Sequence, residues 1–122
     1  MHELAIAEGV VRIASEHARG RRVAVVRVAA GHLRQVVPDA LAFAFELVAL
    51  DTPIEGARLE LREVPARVRC HACGTESEQD GFPLACDRCS GFDVEVTGGE
   101  ELMVEELVLE LDPVREVVAD GR

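Results

Sequence analysis

The chain has 122 residues, of which 13 are basic and 23 acidic, and its formal net charge is −10. Aromatic residues make up 3%, with no Trp or Tyr, so both the basic footprint and the stacking side chains of a nucleic-acid-binding protein are missing. No apolar run is as long as a membrane span, and no basic-then-apolar leader opens the chain. We therefore expect a cytoplasmic protein that binds neither nucleic acid nor membrane.

The first twenty residues predict an amphipathic helix that stops at Gly20. Its apolar positions recur at helical spacing: Leu4, Val11, Ala14 and Ala18. Residues 22–30 (RVAVVRVAA) are mostly apolar and rich in β-branched side chains, so they predict a strand. Residues 31–37 then form a connection.

A second helix is predicted over residues 40–50 (ALAFAFELVAL), in which Glu46 is the one charged residue. Pro38 and Asp39 precede it, and both residue types suit the first turn of a helix. A helix that is apolar on nearly every face is buried in the core or against a partner. Core packing is the preferred interpretation, and a homodimer face is the alternative.

Two strands are predicted on either side of a cysteine-rich region. Residues 57–63 (ARLELRE) alternate apolar and charged side chains, and residues 102–111 (LMVEELVLEL) predict a long closing strand. Pro65 is expected to interrupt sheet pairing, so residues 64–69 should lead the chain away from the sheet. Residues 92–96 are short and extended.

Two Cys-x-x-Cys pairs contain all the cysteines of the chain: Cys70, Cys73, Cys86 and Cys89. Two residues between thiolates let one tight turn present both sulfurs to one ion. Two such turns complete the tetrahedral four-sulfur geometry of structural zinc. Gly74 and Gly91 follow the pairs, where a positive φ would direct backbone N–H groups toward the sulfurs. The spacing predicts one structural Zn²⁺.

Other interpretations of the cysteines remain open at this point. Four cysteines also form two disulfides or hold iron or an iron–sulfur cluster, and a Cys-x-x-Cys can be a thiol redox pair. His71, inside the first pair, is interpreted as a solvent-facing spacer, with exchange of His71 for a thiolate as the alternative. No Ser/His/Asp order or phosphate-binding glycine loop is present, so we do not expect an enzyme.

His2 is the second metal signal. A penultimate residue as large as histidine should block removal of the initiator Met1, which then keeps its amine. That amine, the amide nitrogen and imidazole of His2 and the amide nitrogen of Glu3 form a planar set of nitrogens, which selects Ni²⁺ or Cu²⁺ over zinc. Histidine could also occupy the second position by chance.

These elements predict an α+β fold: a small antiparallel sheet with two helices plus a protruding zinc-ribbon module. Residues 1–69 and 92–112 are expected to form the α+β domain that carries the His2 site. Residues 70–91 would be an inserted zinc-binding module, and residues 113–122 a polar tail. The two strands that flank the module should belong to the same sheet.

The sequence resembles the HypA/HybF family of nickel metallochaperones of [NiFe]-hydrogenase maturation. The resemblance begins at the opening MHEL and continues through the strand that ends at Gly31. It further covers residues 40–48 (ALAFAFELV), residues 55–59 (EGARL), the paired cysteines and the closing segment 98–111.

The resemblance implies a nickel site at His2, supported by the backbone of Met1 and Glu3, and a structural zinc at the four cysteines. It further implies delivery of nickel to the hydrogenase large subunit with the GTPase HypB, and supply of urease in some organisms. The alternative from the residues alone is a zinc-ribbon interaction or regulatory module without nickel function. A third class, a thiol oxidoreductase, would require a reactive cysteine.

Overall fold

The computed structural model describes residues 2–111 and contains two helices, a short 3₁₀ turn and six strands. The elements in chain order are α1 (His2–Ala18), β1 (Val23–Gly31), the 3₁₀ turn (His32–Arg34), α2 (Pro38–Ala49), β2 (Arg58–Val64), β3 (Ala66–Cys70), β4 (Glu76–Gln79), β5 (Val94–Gly98) and β6 (Leu102–Leu109). The predicted α+β class with two helices is confirmed. None of the helices within residues 2–111 is long and apolar enough to cross a bilayer. The predicted tail, 113–122, lies outside the described residues.

The first sheet has the strand order β2-β1-β6. β1 pairs with β6 antiparallel, as expected, but with β2 in parallel, so this sheet is mixed rather than antiparallel. The reason is that α2 carries the chain from the end of β1 back to the start of β2, and such a crossover places the second strand parallel to the first. As predicted, both strands that flank the cysteine region belong to this one sheet.

The second sheet has the order β4-β3-β5 and is antiparallel throughout. The sequence places the module at residues 70–91, but this sheet reaches from Ala66 to Gly98. As expected, the chain leaves the first sheet at Pro65, but it then forms β3 of the second sheet, a strand that the sequence did not predict. Pro65 separates β2 from β3, and Ala66, Val68 and Cys70 then alternate inward with two arginines in an ordinary half-buried strand.

The two helices and the first sheet together form the first layer of the fold, and its core lies between the helices and β1. Its buried members are mostly alanine and valine, and Phe45 and Leu41 are the largest: Ala7, Val10, Val11, Ala14, Ala18, Val23, Val26, Val28, Leu41, Ala44, Phe45, Ala49, Ile54 and Ala57. Leu4, predicted on the inner face of α1, is 49% exposed, and Glu3 is buried instead. A carboxylate takes that position because it has a hydrogen-bond donor there, as described below.

α2 buries only one of its faces. Leu41 and Phe45 are about fully buried, whereas Phe43, Leu47 and Leu50 on the opposite side are exposed. The preferred interpretation, that the whole helix is core, therefore holds for half of it, because the sheet and α1 cover a single side.

Two glycines let the two sheets approach each other. A Cβ at Gly31 would overlap the carbonyl group of Gly99, and a Cβ at Gly99 would lie 2.6 Å from the Cα of Ala66. The backbone N–H of Gly31 donates to the carbonyl oxygen of Glu101 at 2.6 Å, and that of Leu33 donates to Gly99 at 2.8 Å. The chain that leaves the second sheet is therefore seated directly on the end of β1.

Gly31→Ala should lower the free energy of unfolding by about 2 kcal/mol, because the added methyl group has to displace backbone rather than a flexible side chain. Gly9→Ala is the matched control, since a Cβ at Gly9 meets nothing within 4 Å. That helical site should gain up to about 1 kcal/mol. Urea unfolding of both variants checks this, and equal stability of the two would contradict the close approach.

Candidate metal centres

The sulfur atoms of Cys70, Cys73, Cys86 and Cys89 all lie within 4.8 Å of one another. Sγ of Cys70 is 3.7 Å from that of Cys89, and Sγ of Cys73 is 3.5 Å from that of Cys86. Disulfide sulfurs are about 2 Å apart, whereas zinc with Zn–S bonds of about 2.3 Å holds its sulfurs roughly 3.8 Å apart. The four thiols are free, and their spacing fits a tetrahedral metal ion.

Each Cys-x-x-Cys pair lies in a tight turn, here called the first knuckle (residues 70–75) and the second knuckle (residues 86–91), and the two are built in the same way. In the first, the N–H of Gly74 donates to the carbonyl of Cys70 and the N–H of Cys70 donates to Thr75, both at 2.9 Å. In the second, the N–H groups of Ser90 and Cys86 make the corresponding bonds, at 2.9 and 2.8 Å. Two backbone N–H groups, of Arg88 and Cys89, lie 3.4 Å from Sγ of Cys86.

The predicted positive φ is present at Gly74 (77°) but not at Gly91. In the second knuckle it falls on Ser90 (63°), the residue directly after the second cysteine, as Gly74 is in the first. The symmetry of the two turns decides which residue takes the left-handed conformation. Gly91 has a different role, because its Cβ position lies 3.4 Å from Sγ of Cys89.

The thiols differ in acidity for local reasons. The side chain of Thr75, 3.2 Å from Sγ of Cys73, and then its backbone lower the pKa of Cys73 to about 6. The backbone N–H of Gly91 lowers the pKa of Cys89, but the adjacent sulfurs of Cys70 and Cys86 raise it more, to about 11. Four neighbouring thiolates repel one another, so a divalent cation is what allows all of them to ionise together.

Two carboxylates that the sequence analysis did not single out, those of Asp93 and Glu95, contact the first knuckle through His71. Both ring nitrogens of His71 lie 2.9 Å from carboxylates, Nδ1 from Asp93 and Nε2 from Glu95, and these contacts raise its pKa. Arg69 also pairs with Glu95 at 3.0 Å. His71 thus ties the first knuckle to β5 rather than serving as a bare spacer. Asp93, directly before β5, and Glu95, two residues later, carry the acidic i, i+2 spacing that could have revealed this.

The second candidate site is at the start of α1. His2 is the first described residue of the helix, and its side chain is 52% exposed. The first N–H groups of an α-helix lie outside its internal hydrogen-bond ladder. The backbone nitrogens at this end are therefore not needed to hold the helix together. Met1, the third member of the predicted site, lies outside the described residues.

Glu3 holds this end of α1 in place. Its carboxylate accepts a hydrogen bond at 3.0 Å from the N–H of Val37, the residue that caps α2. That bond is the largest cause of the lowered pKa of Glu3, which falls to about 2. The positive end of the α2 dipole also favours a carboxylate there. Nε2 of His2 is 3.7 Å from the same carboxylate.

Residues 1–109 match the family model described as hydrogenase/urease nickel incorporation, metallochaperone, HypA. The chain belongs to the HypA family. A hydrogenase maturation factor HypA from Geobacter metallireducens is 44% identical over 110 residues, which are 90% of this chain and all of the relative. HypA 2 from Bradyrhizobium diazoefficiens is also 44% identical, over 88% of this chain and 97% of the relative.

Solved HypA structures share the fold. The solution structure of the nickel metallochaperone HypA from Helicobacter pylori aligns with a TM-score of 0.63 at 17% identity, covering 90% of this chain and 98% of that one. A second HypA solution structure gives 0.66 at 20% identity, covering 92% and 98%. The match to the family model and the 44% identical relatives confirm the predicted family, and these two structures agree with the predicted fold.

Chelation of a metal ion held at the four cysteines should unfold the ribbon, defined as residues 66–98, while the first layer stays folded. The ribbon buries few apolar side chains, whereas α1, α2 and β1 share a core that includes no cysteine. Amide NMR spectra recorded before and after chelation check this. Persistence of dispersed ribbon signals in excess chelator would show that the thiol cluster is not what holds it.

Glu3→Gln should lower the melting temperature at pH 7, and Glu8→Gln, an exposed control on the same helix, should not. Because the pKa of Glu3 is depressed by folding, its stabilisation is present above the usual value of 4.5 and is lost as pH falls from there toward 2. The difference between wild type and Glu3→Gln should shrink over that range. A difference independent of pH would contradict the charge-based account.

Proposed function

We propose that this protein binds Ni²⁺ at its N-terminus and delivers it during [NiFe]-hydrogenase maturation. The donors would be the amine of Met1, the amide nitrogen and imidazole of His2, and the amide nitrogen of Glu3. A planar set of four nitrogens suits Ni²⁺ better than zinc, which prefers a tetrahedral shell. The observation that carries the proposal is an exposed His2 at the start of a helix in a chain of the HypA family.

The anchored Glu3 side chain supports this arrangement. Its carboxylate is directed to Val37, so it leaves the backbone nitrogen of Glu3 as the donor that this residue contributes. Cargo held at a helix end by exposed groups can be taken over by a recipient without opening the core. The proposed site therefore combines a fixed position with easy access.

The four cysteines are proposed to hold a structural Zn²⁺. Four thiolates fill the tetrahedral shell, which leaves no open position for a substrate and no coordination site for nickel. Soft sulfur ligands in the ribbon and nitrogen ligands at the terminus would keep the two metals at separate sites.

The proposed partners are a HypB-type GTPase and the hydrogenase large subunit, in the cytoplasm, with the urease machinery as a further client in some organisms. Support comes from the matched family's description, which includes both hydrogenase and urease, and from the relatives described as hydrogenase maturation factors. The net charge of −10 would favour contact with basic faces of these proteins.

Calorimetric titration of Ni²⁺ into tag-free, zinc-loaded protein tests the proposal. His2→Ala should abolish the nickel site while elemental analysis still finds one zinc. His17→Ala is the matched control, because His17 is an exposed histidine of the same helix whose Nδ1 bonds to the carbonyl of Ile13. Equal nickel affinity in His2→Ala and wild type would overturn the nickel proposal and leave a zinc-ribbon interaction module.

A further inference from the structure

α2 exposes an apolar stripe that its own fold does not use. Phe43, Leu47 and Leu50 are 63%, 52% and 53% exposed, and Ala40 is exposed beside them. The spacing of three and four residues keeps Ala40, Phe43 and Leu47 on one face of the helix, and Leu50 follows three residues later as the residue that caps its C-terminal end. The opposite face, with Leu41 and Phe45, already fills the core. An exposed apolar patch of this kind on a monomer commonly marks an interaction site.

One edge of this stripe is acidic. Asp39 and Glu46 are seven residues apart, so they lie along the same side of α2, and both are exposed. Neither carboxylate pairs with a cation anywhere in residues 2–111, although most arginines of the first sheet are paired with glutamates. α2 itself carries no basic residue. The stripe thus offers apolar contact together with uncompensated negative charge.

We propose that the α2 stripe, defined as Ala40, Phe43, Leu47 and Leu50 with the edge formed by Asp39 and Glu46, docks a basic amphipathic helix of a partner protein. Apolar anchors at helical spacing fit the apolar face of such a helix, and its Lys or Arg residues would pair with the acidic edge. This is a different surface from the nickel donors and the thiol cluster.

A second copy of this chain fits the stripe less well. In a symmetric pair the same face meets itself, so four carboxylates would gather at a contact to which α2 supplies no cation. A stable dimer also buries about 800 Å² on each subunit, more than four side chains of one helix offer. A basic helix removes the repulsion and needs only a small, transient contact.

The stripe lies next to the proposed nickel donors. The backbone N–H of Val37, which caps α2, donates a hydrogen bond to the carboxylate of Glu3, the neighbour of His2. A helix docked along α2 would therefore end beside the cargo. This last step rests on the proposed function, whereas the docking itself does not require nickel.

The test uses zinc-loaded full-length protein and three synthetic peptides: an amphipathic Leu/Lys helix, a scrambled peptide of the same composition, and a Leu/Glu helix. In amide NMR titrations, only the Leu/Lys helix should change the amide chemical shifts, and the changes should fall on residues of the α2 stripe. Phe43→Ser should weaken binding about tenfold or more, as expected for an aromatic anchor. Asp39→Asn with Glu46→Gln should weaken it roughly three- to tenfold at low salt, as for two exposed charge pairs.

Controls separate the possible outcomes. Met103→Gln alters a comparably exposed apolar residue on β6 and should leave binding unchanged, as should His2→Ala, which tests nickel binding instead. Equal binding of the scrambled peptide, or shift changes away from α2, would show that the peptide binds through its net charge alone and would overturn the proposal. A dimer in sedimentation equilibrium that Phe43→Ser converts to monomer would identify a second copy as the occupant and also overturn it.

Discussion

The hydrogen bond from the N–H of Val37 to the carboxylate of Glu3 joins the beginnings of the two helices. It places a buried carboxylate at the positive end of α2, and the same contact sets where His2 lies. Without it, the start of α1 would be an ordinary helix end, which tends to fray. Both the proposed nickel donors and the beginning of the α2 stripe therefore depend on one side chain. The proposed nickel donors and the proposed docking surface are brought together by that contact rather than by a pocket.

The ribbon is organised by sulfur chemistry instead of by an apolar core. Its two knuckles repeat one backbone design around four thiols whose spacing suits a tetrahedral ion. The close approach of Gly31, Gly99 and Ala66 then seats this unit on the end of β1. A four-thiolate site and a planar nitrogen site have opposite coordination preferences, which would keep the proposed structural zinc and the proposed nickel cargo apart in one small chain.

Much of this fold follows from local pattern. Pro38 and Asp39 ahead of an apolar run predicted α2, and the β-branched run predicted β1, because these signals lie within a few neighbouring residues. The parallel pairing of β1 with β2 is not encoded in either strand, since it follows from the path of α2. β4 (ESEQ) was missed because its four polar residues carry no apolar alternation. Glu3 was predicted only as a backbone donor, since its side-chain partner is 34 residues away. The cysteine spacing, in contrast, predicted the whole cluster.

The claim that nickel is held by the first three residues is tested most directly by X-ray absorption at the nickel edge. Protein with its native N-terminus should be compared with protein whose Met1 amine is acetylated, which removes one proposed donor and creates no new one. A planar nitrogen shell is predicted in the native protein and its loss in the acetylated one, although His2 and all four cysteines are still present. The same nickel spectrum in both proteins, or sulfur in the nickel shell, would contradict it.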